Sequence, residues 1–456
     1  MPKKYLIQIF ILALAFRIVV VLVFNTDNIY QDSREYYQIA ANLVNGNGYT
    51  FDWEAPYKTN LYREPGYPLF LASLLKLWQF AGNEVTMLNE EQFYAHLADP
   101  SIYDITEITY LKIAQAVLDA ISVVFFVLLA SLIVKSKRTL LFYGFAFAIF
   151  LPAAYFITTL MRETWLMFLA AGFAYFFARF LFNRKMSDLI ISSLLFGFMA
   201  VTFQVMLLLG PAIAIYLFVF MKPVSAVKYS IIAAAFTIVI SLPWLMFSYS
   251  IYPDWKIVKS WGTSLTHEKM SYVNAHRKLA AVGLISEDSV KAIYWNEFGN
   301  TSYEAFNKSF NGFYNEHTKA INMQLDEFQN DETEKLTRSY RNKRLLNYAI
   351  VWVRPFSLKG IINNEFYNQE TKLKNVTDIL IAMAFLMGML AFVGFIFHIR
   401  KLSPVLIVFY TLFILIWILG SGRRVQPIYG YLLLFFVLQA AQIFSFFKVK
   451  LKLQKV

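Results

Sequence analysis

The chain has no cysteine. Disulfides, thiolate metal sites and cysteine nucleophiles are therefore excluded. Charge is scarce: Asp, Glu, Lys and Arg make up 16% of the 456 residues. No low-complexity tract, convincing internal repeat or glycine-rich nucleotide loop is present. His267, His276 and His317 are scattered through one polar segment, and no pair has the i, i+4 spacing of a helical ligand pair. Neither a metal site nor a nucleic-acid partner is expected.

What is abundant is apolar surface. Hydrophobic residues make up 58% of the chain, and the mean hydropathy is +0.48. A soluble protein of this length has no means of hiding that much apolar surface. Several windows exceed the ~18 apolar residues needed to cross a bilayer core of about 30 Å. Spans are expected at 5–24, 108–134, 139–158, 164–182, 188–204, 206–221, 229–249, 376–398, 403–420 and 427–447. The fold class is thus all-α, a polytopic membrane protein of about ten transmembrane helices. The first span lacks a small-residue cleavage site and contains Arg17, so it reads as a retained helix and not as a signal peptide.

Orientation follows from the short loops. Lys3/Lys4, Lys135/Lys137/Arg138, Arg184/Lys185, Lys222/Lys228, Arg400/Lys401 and the tail lysines 448, 450, 452 and 455 share one side if the helices alternate. That side is the cytoplasm. The outer side receives loop 25–107, the turn at Arg162-Glu163, segment 250–375 and Ser421-Gly422-Arg423-Arg424. Arg423 and Arg424 break the charge rule. They are either paired on the surface or hold a ligand.

The chain divides into an N-terminal membrane module, 1–249, with its outer loop 25–107, an outer helical segment, 250–375, and C-terminal membrane helices, 376–456. In the outer loop, Tyr36, Tyr37, Ile39, Ala40, Leu43 and Val44 recur at helical spacing, which predicts a short amphipathic helix over 33–44. Asp32 stands where its N-cap would be, with Glu35 three residues on, as in a capping box. A carboxylate in that position caps the helix and still offers an oxygen to a substrate. The Asn45-Gly46-Asn47-Gly48 turn follows. The apolar stretch 67–80 is too short to span and fits a helix lying in the interface, its entrance stiffened by Pro65 and Pro68. Segment 250–375 begins after Pro243-Trp244, and Trp255 and Trp261 suit the headgroup level. It is expected to roof a cavity and carry acceptor specificity.

Arg17 and Asp119 are the conspicuous charges inside the spans. An intramembrane ionisable residue generally has a partner. These two neutralise each other, or Arg17 orients the outer loop.

These residues resemble the GT-C class of membrane glycosyltransferases, and within it the glycosyltransferase family 39 group of protein O-mannosyltransferases and the lipid A aminoarabinose transferase. The resemblance covers almost the whole length. It rests on Asp32, Tyr36 and Ala40, the Gly46/Gly48 turn, Arg63 before Pro65-Gly66-Tyr67-Pro68, Arg162-Glu163-Thr164 opening the fourth helix, Pro243-Trp244, and Arg423-Arg424 before Pro427. The chain departs from the group at Thr202-Phe203-Gln204 and Phe247-Ser248, where many relatives carry basic residues. Thr266-His267-Glu268 is similar to a His/Glu pair of the aminoarabinose branch.

The resemblance implies an enzyme that moves a sugar, with inversion, from a polyprenyl-phosphate donor to a glycan, lipid or protein hydroxyl. The implied setting is the outer face of a bacterial cytoplasmic membrane, with membrane lipids as further partners. It implies Asp32 as general base, with Glu163 beside it. Arg63, Arg423 and Arg424 are implied to sit on the donor phosphate, with Tyr36, Tyr67, His267 and Glu268 as further substrate contacts. The lipid-linked sugar is itself the substrate, so no separate cofactor is expected. A glycolipid transporter or flippase, or a polysaccharide polymerase or ligase, is the alternative.

Overall fold

The computed structural model describes residues 1–23, 31–57, 59, 61, 63–87, 106–203, 206, 207, 209–251, 286, 288, 289, 292, 390, 431 and 433–441, with the backbone alone at 31, 32 and 34. Arg423, Arg424, His267, Glu268 and the span 403–420 lie outside the described residues, as does nearly all of 252–375 and of the span 376–398.

The described residues form helices and no strand. In chain order they are α1 (Lys3–Val23), α2 (Gln31–Val44), α3 (Gly66–Phe80), α4 (Thr106–Ser131), α5 (Lys137–Ala148), α6 (Leu151–Ala154), a 3-10 turn (Tyr155–Thr158), α7 (Arg162–Asn183), α8 (Met186–Thr202), α9 (Leu209–Phe220) and α10 (Pro223–Ile251). Residues 431 and 433–441 are also helical, inside the expected last span. Four helices, α1, α4, α7 and α10, are long and apolar enough to cross a membrane, and the bent run 137–158 makes a fifth if taken as one span. The chain is a multi-pass membrane protein. All seven spans expected before residue 250 coincide with helices. Two of these helices are shorter than a span over their described residues, α8 at 17 residues and α9 at 12.

α7 is the centre of the bundle. It packs against α4 on one side and α8 on the other, while α1 packs on α4 and α10 on α8. α1 and α10 leave large apolar side chains uncovered, Ile11, Val19, Ile231 and Val239 among them. That is the surface a lipid-facing helix presents.

A proline dictates the bend. Pro152 has no N–H, so the Ala148 carbonyl four residues earlier loses its ordinary helical donor. α5 stops there, and the chain turns by 42° before resuming. Arg17 supplies the missing donor from another helix: its Nη1 donates to the Ala148 carbonyl at 2.7 Å. The guanidinium charge is balanced by Asp119 of α4, whose carboxylate accepts from Arg17 Nε, and both side chains are fully buried. The pair thus neutralises itself in the bundle interior.

One helical turn before Asp119, Gln115 ties the next layer. Its Nε2 donates to the carbonyls of Ile157 (3.2 Å) and Thr159 (2.9 Å) beyond the bend. Its Oε1 accepts from the Tyr67 hydroxyl of α3 at 2.7 Å.

α2 and α3 cover one end of the bundle and bury Tyr36, Tyr37, Tyr67, Leu71 and Leu75 against Ile108, Leu111, Leu160 and Met161. α2 begins at Gln31, two residues ahead of the expected start. Asp32 therefore sits in its first turn and not at its cap. The capping-box reading of Glu35 falls with it, since the Glu35 carboxylate accepts from Arg63.

α3 starts at Gly66 because nothing larger fits. A Cβ there would stand 2.1 Å from Thr202 Oγ1 and 2.8 Å from both Thr202 Cα and N. Gly66→Ala should therefore cost about 1–3 kcal/mol by forcing α3 away from α8, measurable as a lower melting temperature in detergent. Adding Thr202→Ala should not restore it, because the obstruction includes backbone. Parent-like melting of Gly66→Ala would show that the two helices separate without cost.

Candidate functional site

The two ends of the bundle differ in what they carry. Lys137 lies over the Tyr5 ring at 4.7 Å, which joins the starts of α1 and α5. Arg184 and Lys185 join α7 to α8, and Lys222 precedes α10. The other end holds the start of α7, the end of α8, α2, α3 and Trp244 of α10.

At that end the chain from 63 to 66 links three helices. Consecutive residues send their side chains apart. Arg63 Nε meets Glu35 Oε2 of α2 at 2.5 Å. Glu64 Oε2 meets Arg162 Nη1 of α7 at 2.7 Å. The Arg63 guanidinium lies over the Tyr36 ring at 5.2 Å, and Tyr36 meets Tyr67 edge-on, with centroids 5.0 Å apart. The Arg162 guanidinium lies over the Phe203 ring at 4.3 Å. Arg63, Glu64, Arg162 and Glu163 are all within electrostatic reach of Tyr36. Two Arg–Glu pairs and the Tyr36–Tyr67 pair thus gather at this end.

Glu163 is the second residue of α7, where the helix dipole favours a carboxylate. Its side chain is buried, and one carboxylate oxygen has no hydrogen-bond partner among the described residues. It lies near both Tyr36 and Tyr67. Burial pushes the Tyr36 hydroxyl up to about 12, against the pull of Arg162 and Arg63. Burial likewise raises Tyr67, with Tyr36 and Glu163 adding to it. Both phenols are therefore neutral near pH 7 and serve as hydrogen-bonding groups, not as bases. Asp32 is one helical turn before Tyr36 along α2.

Beside this cluster is a groove of about 670 Å³. Its walls are nearly all apolar: Leu43 of α2, Gly48 and Tyr49 of the turn that follows, Pro65, Gly66, Leu69 and Phe70 at the start of α3 with Ser73 beyond them, Trp165 of α7, Phe198 and Val201 of α8, and Ile240, Pro243, Trp244 and Phe247 of α10. Gly48 adopts φ +86°, and Gly46 φ +83°, which is why this turn is built of glycine. Phe70 stacks on Trp165 at 4.5 Å, nearly parallel. Tyr49 packs on Trp244 at 5.0 Å and its hydroxyl donates to the Arg63 carbonyl at 2.8 Å. Leu69 and Phe198 are 50% and 40% exposed, so the groove opens at their side.

Groove and charged cluster share a boundary. Glu64 belongs to the cluster, and the next two residues line the groove. Arg162 belongs to the cluster, and Trp165, one turn on, lines the groove. Of the residues expected from sequence, Arg63, Tyr36, Tyr67 and Glu163 are brought together here. Glu35, Glu64 and Arg162 were missed as site residues. Arg162 stood beside the expected Glu163, and an arginine at the end of an apolar span away from the lysine-bearing loops was its signal. Among the described residues no group of acidic or histidine side chains is arranged to hold a metal.

Neither a protein-family model nor a curated protein sequence matches the chain. Among solved structures the chain is similar to an archaeal oligosaccharyltransferase, AglB from Archaeoglobus fulgidus, determined in complex with an inhibitory peptide and a dolichol-phosphate. The TM-score is 0.50 at 14% identity, over 99% of this chain and 52% of that one. At that identity the likeness is one of fold alone. The chain spans about half the length of the archaeal enzyme.

Proposed function

We propose that this protein transfers a sugar from a polyprenyl-phosphate donor to an acceptor hydroxyl, with inversion at the anomeric carbon. The observation that carries this reading is the junction of an apolar groove with a cluster of arginines and carboxylates. A lipid-linked sugar has the same two halves, a long apolar tail and a charged, polar head. The fold shared with an enzyme solved with a lipid phosphate is in keeping with this. The lysines and arginines at the far end would face the cytoplasm under the positive-inside rule, leaving the cluster at the outer face.

In this scheme Asp32 takes the proton of the attacking hydroxyl. Arg63 and Arg162 stabilise charge developing on the departing phosphate, and Arg423 and Arg424, outside the described residues, are the further candidates for that role. Glu163, at the start of α7, orients the sugar or acceptor from the Tyr36–Tyr67 side. The acceptor is a glycan, lipid or protein hydroxyl.

The direct test is to incubate purified protein with synthetic polyprenyl-phosphate sugars and follow release of polyprenyl phosphate. Movement of the intact lipid across a liposome bilayer with no cleavage would replace this reading by that of a flippase. Within the same assay, Arg63→Lys should lower kcat/KM for the donor by about 10-fold, since lysine keeps the charge but loses the fork that matches phosphate oxygens. An unchanged kcat/KM would remove Arg63 from the phosphate.

A further inference from the structure

The proposed donor site contains a second ion pair, Glu64–Arg162, that the reaction scheme does not by itself require. It stands at the head of the groove. Glu64 is followed by the groove residues Pro65 and Gly66, and Arg162 lies 3.5 Å from the Thr202 carbonyl, next to the groove residue Val201. The pairing is through a single Nη1–Oε2 contact and not a two-pronged clasp. The arginine side chain keeps 17% of its surface accessible, whereas Glu64 keeps 4%. Arg162 is thus the more accessible member of the pair.

The surrounding charges sharpen the point. Arg63 and Glu163 lie within electrostatic reach of Arg162, and Arg63 is itself paired with Glu35. Among the described residues Glu64 is the carboxylate that accepts from Arg162 Nη1. A phosphate that takes that edge of the guanidinium displaces Glu64. A carboxylate and a phosphate compete for the same guanidinium edge.

We infer that Glu64 is a resident counter-ion that competes with the lipid phosphate for Arg162. It keeps the arginine paired when the groove is empty, since an unpartnered buried charge is costly. It also sets how readily the product leaves. The donor phosphodiester carries one negative charge, and the polyprenyl phosphate product, a monoester, carries about 1.5 to 2 at neutral pH. Without a competitor the product would hold Arg162 more tightly than the donor does. Glu64 returns to Arg162 as the product departs.

This inference rests on the lipid-phosphate reading and is tested by binding, apart from turnover. The dissociation constant of a synthetic polyprenyl phosphate is measured on the full chain in detergent by native mass spectrometry. Glu64→Gln should bind it at least about 10-fold more tightly than the parent, the ratio for one charge-assisted contact that no longer has to be broken. Arg162→Gln should bind it at least about 10-fold more weakly. The double variant should match Arg162→Gln alone. Should Glu64→Gln fail to fold, Glu64→Asp carries the test: its shorter arm loosens the hold on Arg162, so binding again tightens.

Parent binding with no tightening in either Glu64 variant overturns the exchange and leaves the donor reading standing. No binding of polyprenyl phosphate to the parent overturns both. Equal binding and equal tightening with phosphatidic acid would make the occupant a bilayer phospholipid, and the proposal would fail.

Discussion

Replacing Asp119 with alanine is expected to destabilise the membrane bundle by about 3–5 kcal/mol, the scale for breaking a buried ion pair by removing one partner. Arg17 would keep its charge with no carboxylate near it, in a place without access to water. Its hydrogen bond to the Ala148 carbonyl holds the break before Pro152, so the damage should extend to the turn Tyr155–Thr158 and to Gln115. Thermal melting in detergent and the yield of folded protein measure this. A double variant, Arg17→Met with Asp119→Leu, should recover most of the loss, because an apolar pair of similar volume often replaces a buried ion pair at little cost. It should not recover all of it. The Ala148 carbonyl then has no donor, which costs about 1–3 kcal/mol. An Asp119→Ala protein that melts like the parent would show that Arg17 carries no uncompensated charge.

Asp32→Asn is expected to lower the transfer rate by at least about 100-fold, the scale of losing a general base. Asparagine is nearly the same size and keeps a polar side chain in the first turn of α2, so melting and donor binding should stay near those of the parent. The position motivates the assignment. Asp32 is one turn before Tyr36 on the same helix, and Tyr36 lies beneath Arg63 in the cluster that adjoins the groove. The nearby phenols cannot substitute, since burial holds Tyr36 and Tyr67 protonated at neutral pH. The measurement is single-turnover cleavage of a polyprenyl-phosphate sugar in the presence of acceptor. Near-normal turnover in Asp32→Asn would move the base elsewhere, with Glu163 the next to test.

The membrane helices were legible because their signal is local. A run of apolar residues as long as a bilayer is thick has few other places to go, so α1, α4, α7 and α10 follow from composition and length. The short helix α3 and the Gly46–Gly48 turn were legible for the same reason: short apolar length in one case, and the backbone freedom of glycine in the other. The lengths of α8 and α9 were less legible, because an apolar run shows where a helix can form and not where it ends.

The pairings were not local and could not be read that way. Glu35 has the spacing of a capping box, yet its carboxylate goes to Arg63, 28 residues away. Arg162 and Glu64 are 98 residues apart in the chain. Arg17 and the Ala148 carbonyl are 131 residues apart. By itself the sequence determined that the protein is a set of membrane helices, which residues carry charge among them, and that an intramembrane arginine must be neutralised. Only the tertiary structure decided the partners. Apolar burial depends on how much surface each segment carries, which the chain states residue by residue, whereas an ion pair or a hydrogen bond depends on two groups meeting within about 3 Å, and that is settled by how the helices pack.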